Sequence, residues 1–404
     1  MLLRLLDEHG AMTRGELSGR SGLSLPTVAS IISDLSVRGY VAETGLRPRS
    51  VRRGPRAAAV ALNRTACQVV GVYLGAGGIW IGRADLAGAV TGARRVPVEP
   101  GARPAEVVQT AVHAATPLVK AAGPALLGVG VAAPSPVDPA QRRTTRALDA
   151  GWRDLPVADL FEEALRAPAV VEYNVRAMAL AEARHGFGRG EQSLLYVHVG
   201  MGVGFSFLVD GEPVAHGGRG ISELGHRPVA PGGPICACGA VGCLEAVLRE
   251  PYLRARVVDA ARGSAALAGA ARRHPAPLHA LNAAAHAGDD VATGLLAEYL
   301  DHLTTGVAMA ADVLSPSCVT LGGTLGQAPK EVFEQLREEL YPKLSTPLRD
   351  HVTVQPSAIR PHPGVLGAAT VAFDRLFYAS GPANPADRGV PMDGHPARTS
   401  GRSR

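Results

Sequence analysis

The sequence predicts an α/β protein that opens with a small winged helix-turn-helix. Three observations carry this reading. The first sixty positions show helical periodicity with capping residues, an Arg-rich hairpin pattern follows, and from about residue 66 short apolar runs alternate with helical stretches. At 404 residues the chain is too long for one ordinary core, so two or three domains are expected. Aromatic residues make up 4% of it, so those cores are built mostly from Ala, Val and Leu.

In the first module Leu2, Leu3, Leu5 and Leu6 give a short amphipathic helix, and Thr13 caps a second helix from Arg14 to about Arg20. A turn follows at Ser21-Gly22-Leu23. Ser24 is the next N-cap, with Pro26 in the first turn of a third helix that reaches about Arg38 and buries Val28, Ile31, Ile32 and Leu35. Tyr40 to Glu43 and Ala57 to Leu62 read as the two strands of a wing, with Arg47, Arg49, Arg52, Arg53 and Arg56 at or near its tip. Because the first helix starts at once, the true start of the chain is expected upstream.

Charge is distributed unevenly. Residues 1–60 hold nine Arg against five acidic residues, in a chain whose net charge is +5, and residues 381–404 add four Arg against two Asp. A basic module on a near-neutral body is the footprint of a partner rich in phosphate. Thr27, Ala29, Ser30 and Ser33, short and uncharged, suit a helix lying in a DNA major groove, and the wing arginines supply phosphate contacts. The alternative for such a module is protein contact. With the wing charge included, double-stranded DNA is the expected partner, through Thr27, Ser30, Ser33 and the five wing arginines.

The body shows strand-like runs CQVVGVYLG, GIWIGRADL, LLGVGVAAP, AVVEYN, LLYVHVG, VGFSFLV and, late in the chain, CVTLGG. Residues 160–166 and 176–185 read as helices, and 245–312 is Ala-rich helix interrupted by Gly and Pro. No repeat of solenoid period is visible. The expected divisions are 1–62 for the DNA-binding module, 66–380 for the body and 381–404 for a disordered tail. No stretch approaches the length of a membrane span, so a soluble, cytoplasmic protein with no membrane partner is expected.

Three of the five cysteines fall within eight residues, as Cys236, Cys238 and Cys243, ten residues after His226. In a reducing compartment this points to metal before disulfide. Three thiolates and one imidazole suit a closed, tetrahedral, structural zinc site, with Gly239 and Gly242 allowing the tight turns. Cys67 and Cys318, in apolar runs, read as core residues.

The segment ELGH followed by CACGAVGCLE resembles the signature of the ROK family (repressor, open reading frame, kinase), and the order of winged helix-turn-helix then body is similar to its transcriptional regulators. The resemblance spans roughly residues 1–380. It implies a two-lobed actin-like ATPase/sugar-kinase fold with a sugar in the cleft and zinc against one wall. It also implies that Glu223, His226 and Glu245 bond sugar hydroxyls, His226 serving the metal as well. Carboxylates accept bonds from vicinal hydroxyls, and a metal fixes the ring it binds.

The same resemblance exposes losses. VVEYNVRAMALAEA is similar to the family's catalytic E-N-D stretch, but Tyr173 stands for the Asn and Asn174 for the Asp that acts as base. An amide cannot be that base, a loss typically of about 10²–10⁴ in rate, although Asn174 can still bond a sugar hydroxyl. GVYLGAGGI occupies the place of the first phosphate loop, with Tyr73 at the acidic position and Gly77 at the Thr. The second loop persists as Gly200-Met201-Gly202-Val203-Gly204, and Gly322-Gly323 matches the adenosine-side glycines. The segment 128–138 with Gly151-Trp152 resembles the sugar-cleft wall, with Ala133 and Ser135 in an altered turn.

The sequence therefore predicts a sugar-responsive regulator, a repressor binding a palindromic operator as a homodimer or dimer of dimers, with a sugar or sugar phosphate as effector and no catalytic residue. Two rivals stand beside it: a DNA-binding ROK protein that keeps ATP-dependent sugar kinase activity, and a ligand-independent one whose body only dimerises.

Overall fold

A computed structural model of the protein describes residues 1–44, 58–75, 77–99, 101–138, 140–145, 152–214 and 223–379. The first module contains α1 (Leu2–His9), β1 (Met12–Thr13), α2 (Arg14–Ser21), α3 (Leu25–Val37), β2 (Val41–Thr44) and β3 (Ala59–Leu62), the strands in the order β1-β3-β2. A capping box starts α2: Thr13 Oγ1 accepts from the Glu16 amide, and Glu16 accepts from the Thr13 amide at 2.8 Å. Gly22, at φ 72°, ends it in the left-handed region. Ser24 caps α3 with Pro26 in the first turn.

Val28, Ile32 and Leu35 form the buried stripe of α3. Ile31 does not join them, being 36% exposed. At about 100° per residue it falls on the flank of that stripe, past the edge of the core. The antiparallel pairing of β2 and β3 sets Glu43 against Val60. Arg47, Arg49, Arg52, Arg53 and Arg56 lie outside the described residues, as does the expected tail at 381–404.

Two lobes follow. The first holds β4 (Gln68–Gly75), β5 (Gly78–Asp85), β6 (Val90–Val96), α4 (Pro104–Ala122), β7 (Leu126–Ala133), α5 (Val157–Leu165), β8 (Ala169–Tyr173) and α6 (Asn174–His185). The second holds β9 (Ser193–Val199), β10 (Val203–Val209), β11 (Glu212–Pro213), α7 (Leu244–Leu248), α8 (Glu250–Ala260), α9 (Ala265–Arg273), α10 (Pro277–His286) and α11 (Asp290–Leu314). It continues with β12 (Cys318–Gly323), α12 (Lys330–Leu340), α13 (Thr346–Arg349) and β13 (Thr353–Pro356). The chain then returns to the first lobe with α14 (Pro363–Phe373) and a π-helical turn, Asp374–Ala379.

The sheets are ordered β6-β5-β4-β7-β8 and β11-β10-β9-β12-β13. In each, three strands form an antiparallel meander and the next two add in parallel. The lobes thus repeat one topology, which the search for short sequence periods does not reveal. The short or polar strands β1, β6, β11 and β13 also escape the sequence reading, since none forms a continuous apolar run.

One apolar core joins the N-terminal module to the first lobe. It contains Leu6, Leu17 and Ile32 together with Val69, Leu86, Leu366, Phe373 and Phe377. Tyr40 meets Phe377 edge-on at 5.4 Å, and Arg4 lies over the Tyr378 ring at 5.2 Å. Arg4 and Arg184 both reach Glu212 and Asp374, so an ion network crosses the same boundary.

Candidate effector and metal site

The cleft-facing end of the first lobe is set by Glu172, a fully buried carboxylate at the end of β8. Gln141 Nε2 donates to it at 2.6 Å, the Tyr173 amide donates at 2.8 Å, and Arg176 lies 3.6 Å away. A buried charge needs such partners. Together they fix the strand-to-helix step, which places Tyr173 at the N-cap of α6 and Asn174 in its first turn. Asn174 is half-buried there.

Burial, and after it the charges of Glu245 and Glu223, push the Tyr173 phenol well above its ordinary range. Both carboxylates of the second lobe therefore lie within electrostatic reach of the α6 N-terminus. Glu245, in the first turn of α7, accepts from the Val203 amide at 3.0 Å. Its other oxygen is 4.0 Å from His226 Nδ1, and Glu223 is 3.6 Å from His226 Nε2. The structure thus brings Glu223, His226 and Glu245 together, with both carboxylates within electrostatic reach of Tyr173, the residue before Asn174. Ser135, in contrast, is fully buried and donates to the carbonyls of Pro136 and Thr145, so it holds its own loop. Trp152 is buried in the first-lobe core, and Gly151 lies outside the described residues.

His226, Cys236, Cys238 and Cys243 present ligand atoms that all lie within 4.8 Å of one another. Cys236 Sγ is 3.4 Å from His226 Nδ1, and Cys238 Sγ is 3.6 Å from Cys243 Sγ. A tetrahedral zinc ion with Zn–S bonds of about 2.3 Å requires neighbouring sulfurs about 3.8 Å apart, so the donor set fits such an ion in number, type and spacing. None of the described cysteines is in a disulfide. Burial pushes the Cys243 thiol up to about 12, so this cluster needs a cation before all three thiols ionise. Gly239 and Gly242 have φ 91° and 68°, and a Cβ on Gly242 would strike the Ala230 carbonyl. Cys67 and Cys318 are buried elsewhere in the cores.

Near the end of β4, Tyr73 packs on Trp80 at 5.5 Å and against Gly364. Burial raises its phenol to about 12, so at neutral pH this position carries no charge. Thr27, Ser30 and Ser33 are exposed on α3, although the Thr27 hydroxyl bonds that of Ser24 at 2.7 Å.

This arrangement, two lobes of one topology with a Cys/His cluster in the second, defines a sugar-kinase-like body behind a winged helix-turn-helix. Residues 69–375 match the ROK family, and residues 1–42 match a winged helix-turn-helix DNA-binding family. The chain belongs to the ROK family, and its order of parts is that of the family's transcriptional regulators.

The xylose repressor of Bacillus subtilis (strain 168) is 22% identical over 383 residues, which cover 93% of this chain and 95% of that protein. A crystal structure of a ROK family transcriptional regulator, a homologue of the E. coli MLC protein, superposes with a TM-score of 0.76 at 21% identity over 92% of this chain and 94% of that one. A ROK family glucokinase from Streptomyces griseus, solved with glucose and AMPPNP, gives 0.68 at 24% identity over 76% of this chain and 99% of its own. At these identities the two structures establish the fold.

Proposed function

We propose that this protein is a sugar-responsive transcriptional repressor that binds operator DNA through residues 1–62 and reads its effector in the body, residues 66–380. The observation that carries the reading is the single apolar core that ties the helix-turn-helix to the lobe bearing Asn174. A ligand that changes that lobe has a direct mechanical route to the DNA-binding module. Glu223, His226, Glu245 and Asn174 would bond the sugar hydroxyls. Thr27, Ser30, Ser33 and the wing arginines would contact the DNA, in the cytoplasm and as a homodimer on a palindromic site.

The cluster of His226, Cys236, Cys238 and Cys243 would hold one structural zinc ion. Bound there, zinc would supply a fixed anchor for the loop and the His226 ring, and Cys243, the N-cap of α7, would pass that order on to Glu245. Catalysis is impaired in this reading because the base position holds an amide and the first phosphate loop holds Tyr73 and Gly77.

Duplexes selected from a random library and followed by fluorescence anisotropy test the proposal. A sugar or sugar phosphate should change affinity for the selected duplex, through a coupling of about 1–3 kcal/mol. No response across a broad panel would count against it. The rival kinase reading draws on the retained glycine turn at Gly200 to Gly204, and ATP-dependent phosphorylation of a sugar at ordinary kinase rates would favour it.

A further inference from the structure

A cavity of about 490 Å³ lies between the lobes, bordered by Gly200, by Gly323 and, at the start of α14, by Gly364. Tyr73, Trp80, Leu253 and Tyr299 give it ring and aliphatic walls, and the imidazoles of His198 and His279 give it polar points. Among the described residues that line it, the one Arg or Lys side chain is Arg254. That guanidinium is already engaged, paired with Glu250 and donating to the Pro275 carbonyl at 2.7 Å. The second phosphate turn contributes the Met201 thioether, and the first strand end contributes an un-ionised phenol.

Burial holds His198 down at about 4, so its ring is neutral. Its Nδ1 is buried with no hydrogen-bond partner and its Nε2 lies beside Gly200, so the ring keeps one nitrogen to donate and one to accept. The cavity thus offers stacking surface and a neutral imidazole, with no unengaged Arg or Lys among its described lining. A triphosphate brought there would lose its hydration without gaining the positive partners that normally replace it.

We infer that this cavity is a second small-molecule site, which takes an uncharged heteroaromatic compound of nucleoside size in place of a nucleoside triphosphate. Flat rings fit between aromatic side chains at little cost in ordering, and one polar edge can meet each imidazole. The site also has a route to the DNA-binding module. Helix α14 begins at the cavity, where Gly364 is pressed against the Tyr73 ring, and leads into the turn that carries Phe377 and Tyr378 beneath Tyr40 and Arg4. Neither step depends on sugar binding.

The test uses the full chain, with adenosine, indole and Mg·ATP as probes. Equilibrium dialysis measures binding, and a change in tryptophan emission that Trp80→Phe abolishes, leaving Trp152 as the remaining tryptophan, reports where it occurs. Adenosine is expected to occupy one site per chain at least tenfold more tightly than Mg·ATP, and to change Trp80 emission. Ala276→Trp, at the exposed rim, should weaken it at least tenfold, with the thermal unfolding midpoint showing that the variant is folded. His198→Phe should weaken adenosine more than indole. Binding of Mg·ATP as tight as that of adenosine would overturn the inference, as would failure of both uncharged probes to bind at millimolar concentration. No DNA or sugar enters the assay, so its outcome is separate from that of the repressor reading.

Discussion

Glu172 shows how much one buried carboxylate can organise. Removing it leaves the Gln141 amide and the Tyr173 N–H without their acceptor, at the step that places Tyr173 and Asn174 at the start of α6. Glu172→Ala is expected to lower unfolding stability by about 3 kcal/mol, read from urea denaturation. Asn174→Asp restores a carboxylate at the base position but leaves Tyr73 and Gly77 unchanged, so phosphoryl transfer should stay within tenfold of background in a coupled assay. The buried imidazoles His185 and His198 are both held down at about 4. Above about pH 6.5 they are neutral whether the chain is folded or not. Between there and pH 4 only the unfolded chain protonates them, so their contribution to stability is lost as pH falls. Denaturation near pH 5 should take up about two more protons per chain than at pH 8 from these groups, and His198→Phe should remove one.

At the scale of elements, the loop from His226 to Cys243 has little apolar core of its own, with Cys236, Cys243 and Ala246 as its buried cluster. Cys243 is also the N-cap of α7, the helix that carries Glu245, so the loop's order and the carboxylate's position are linked. Metal analysis should find about one zinc per chain. Cys238→Ser or a strong chelator should open this loop to protease and weaken sugar binding at least tenfold, measured by calorimetry. These elements differed in how plainly the sequence displays them. Thr13, Gly22, Ser24 and Pro26 act within one turn of themselves, so α2 and α3 can be located by eye. The Cys/His cluster is equally local in spacing. Ile31 could not be placed by pattern alone, because the stripe it borders is decided by what packs against it. The repeated topology of the lobes and the cavity beside Tyr73 arise from contacts between distant segments, and no short window of sequence contains them.

Across the whole molecule, two helices run from the cleft toward the DNA-binding module. Helix α6 starts at Asn174 and carries Arg184 near its other end, and α14 starts beside Tyr73 and ends at Phe373. Glu182 ties them, accepting from the Ser357 hydroxyl at 2.8 Å and the Ala358 amide at 3.1 Å just before α14. Arg4→Ala removes the module's pairing with Glu212 and Asp374 while leaving the cleft intact. It is expected to reduce the sugar-induced change in DNA affinity at least fivefold, by anisotropy, with sugar affinity by calorimetry within twofold of the parent. The π-helical turn that bears Phe377 has a bearing on synthesis as well. Tyr40 leaves the ribosome roughly 340 residues before the ring it rests on, which at about 5–20 residues per second is a delay of some 15–70 s. For that interval the nascent helix-turn-helix lacks the Phe377 side of the core it shares with the first lobe, and a product ending short of Phe377 would carry the module without that contact.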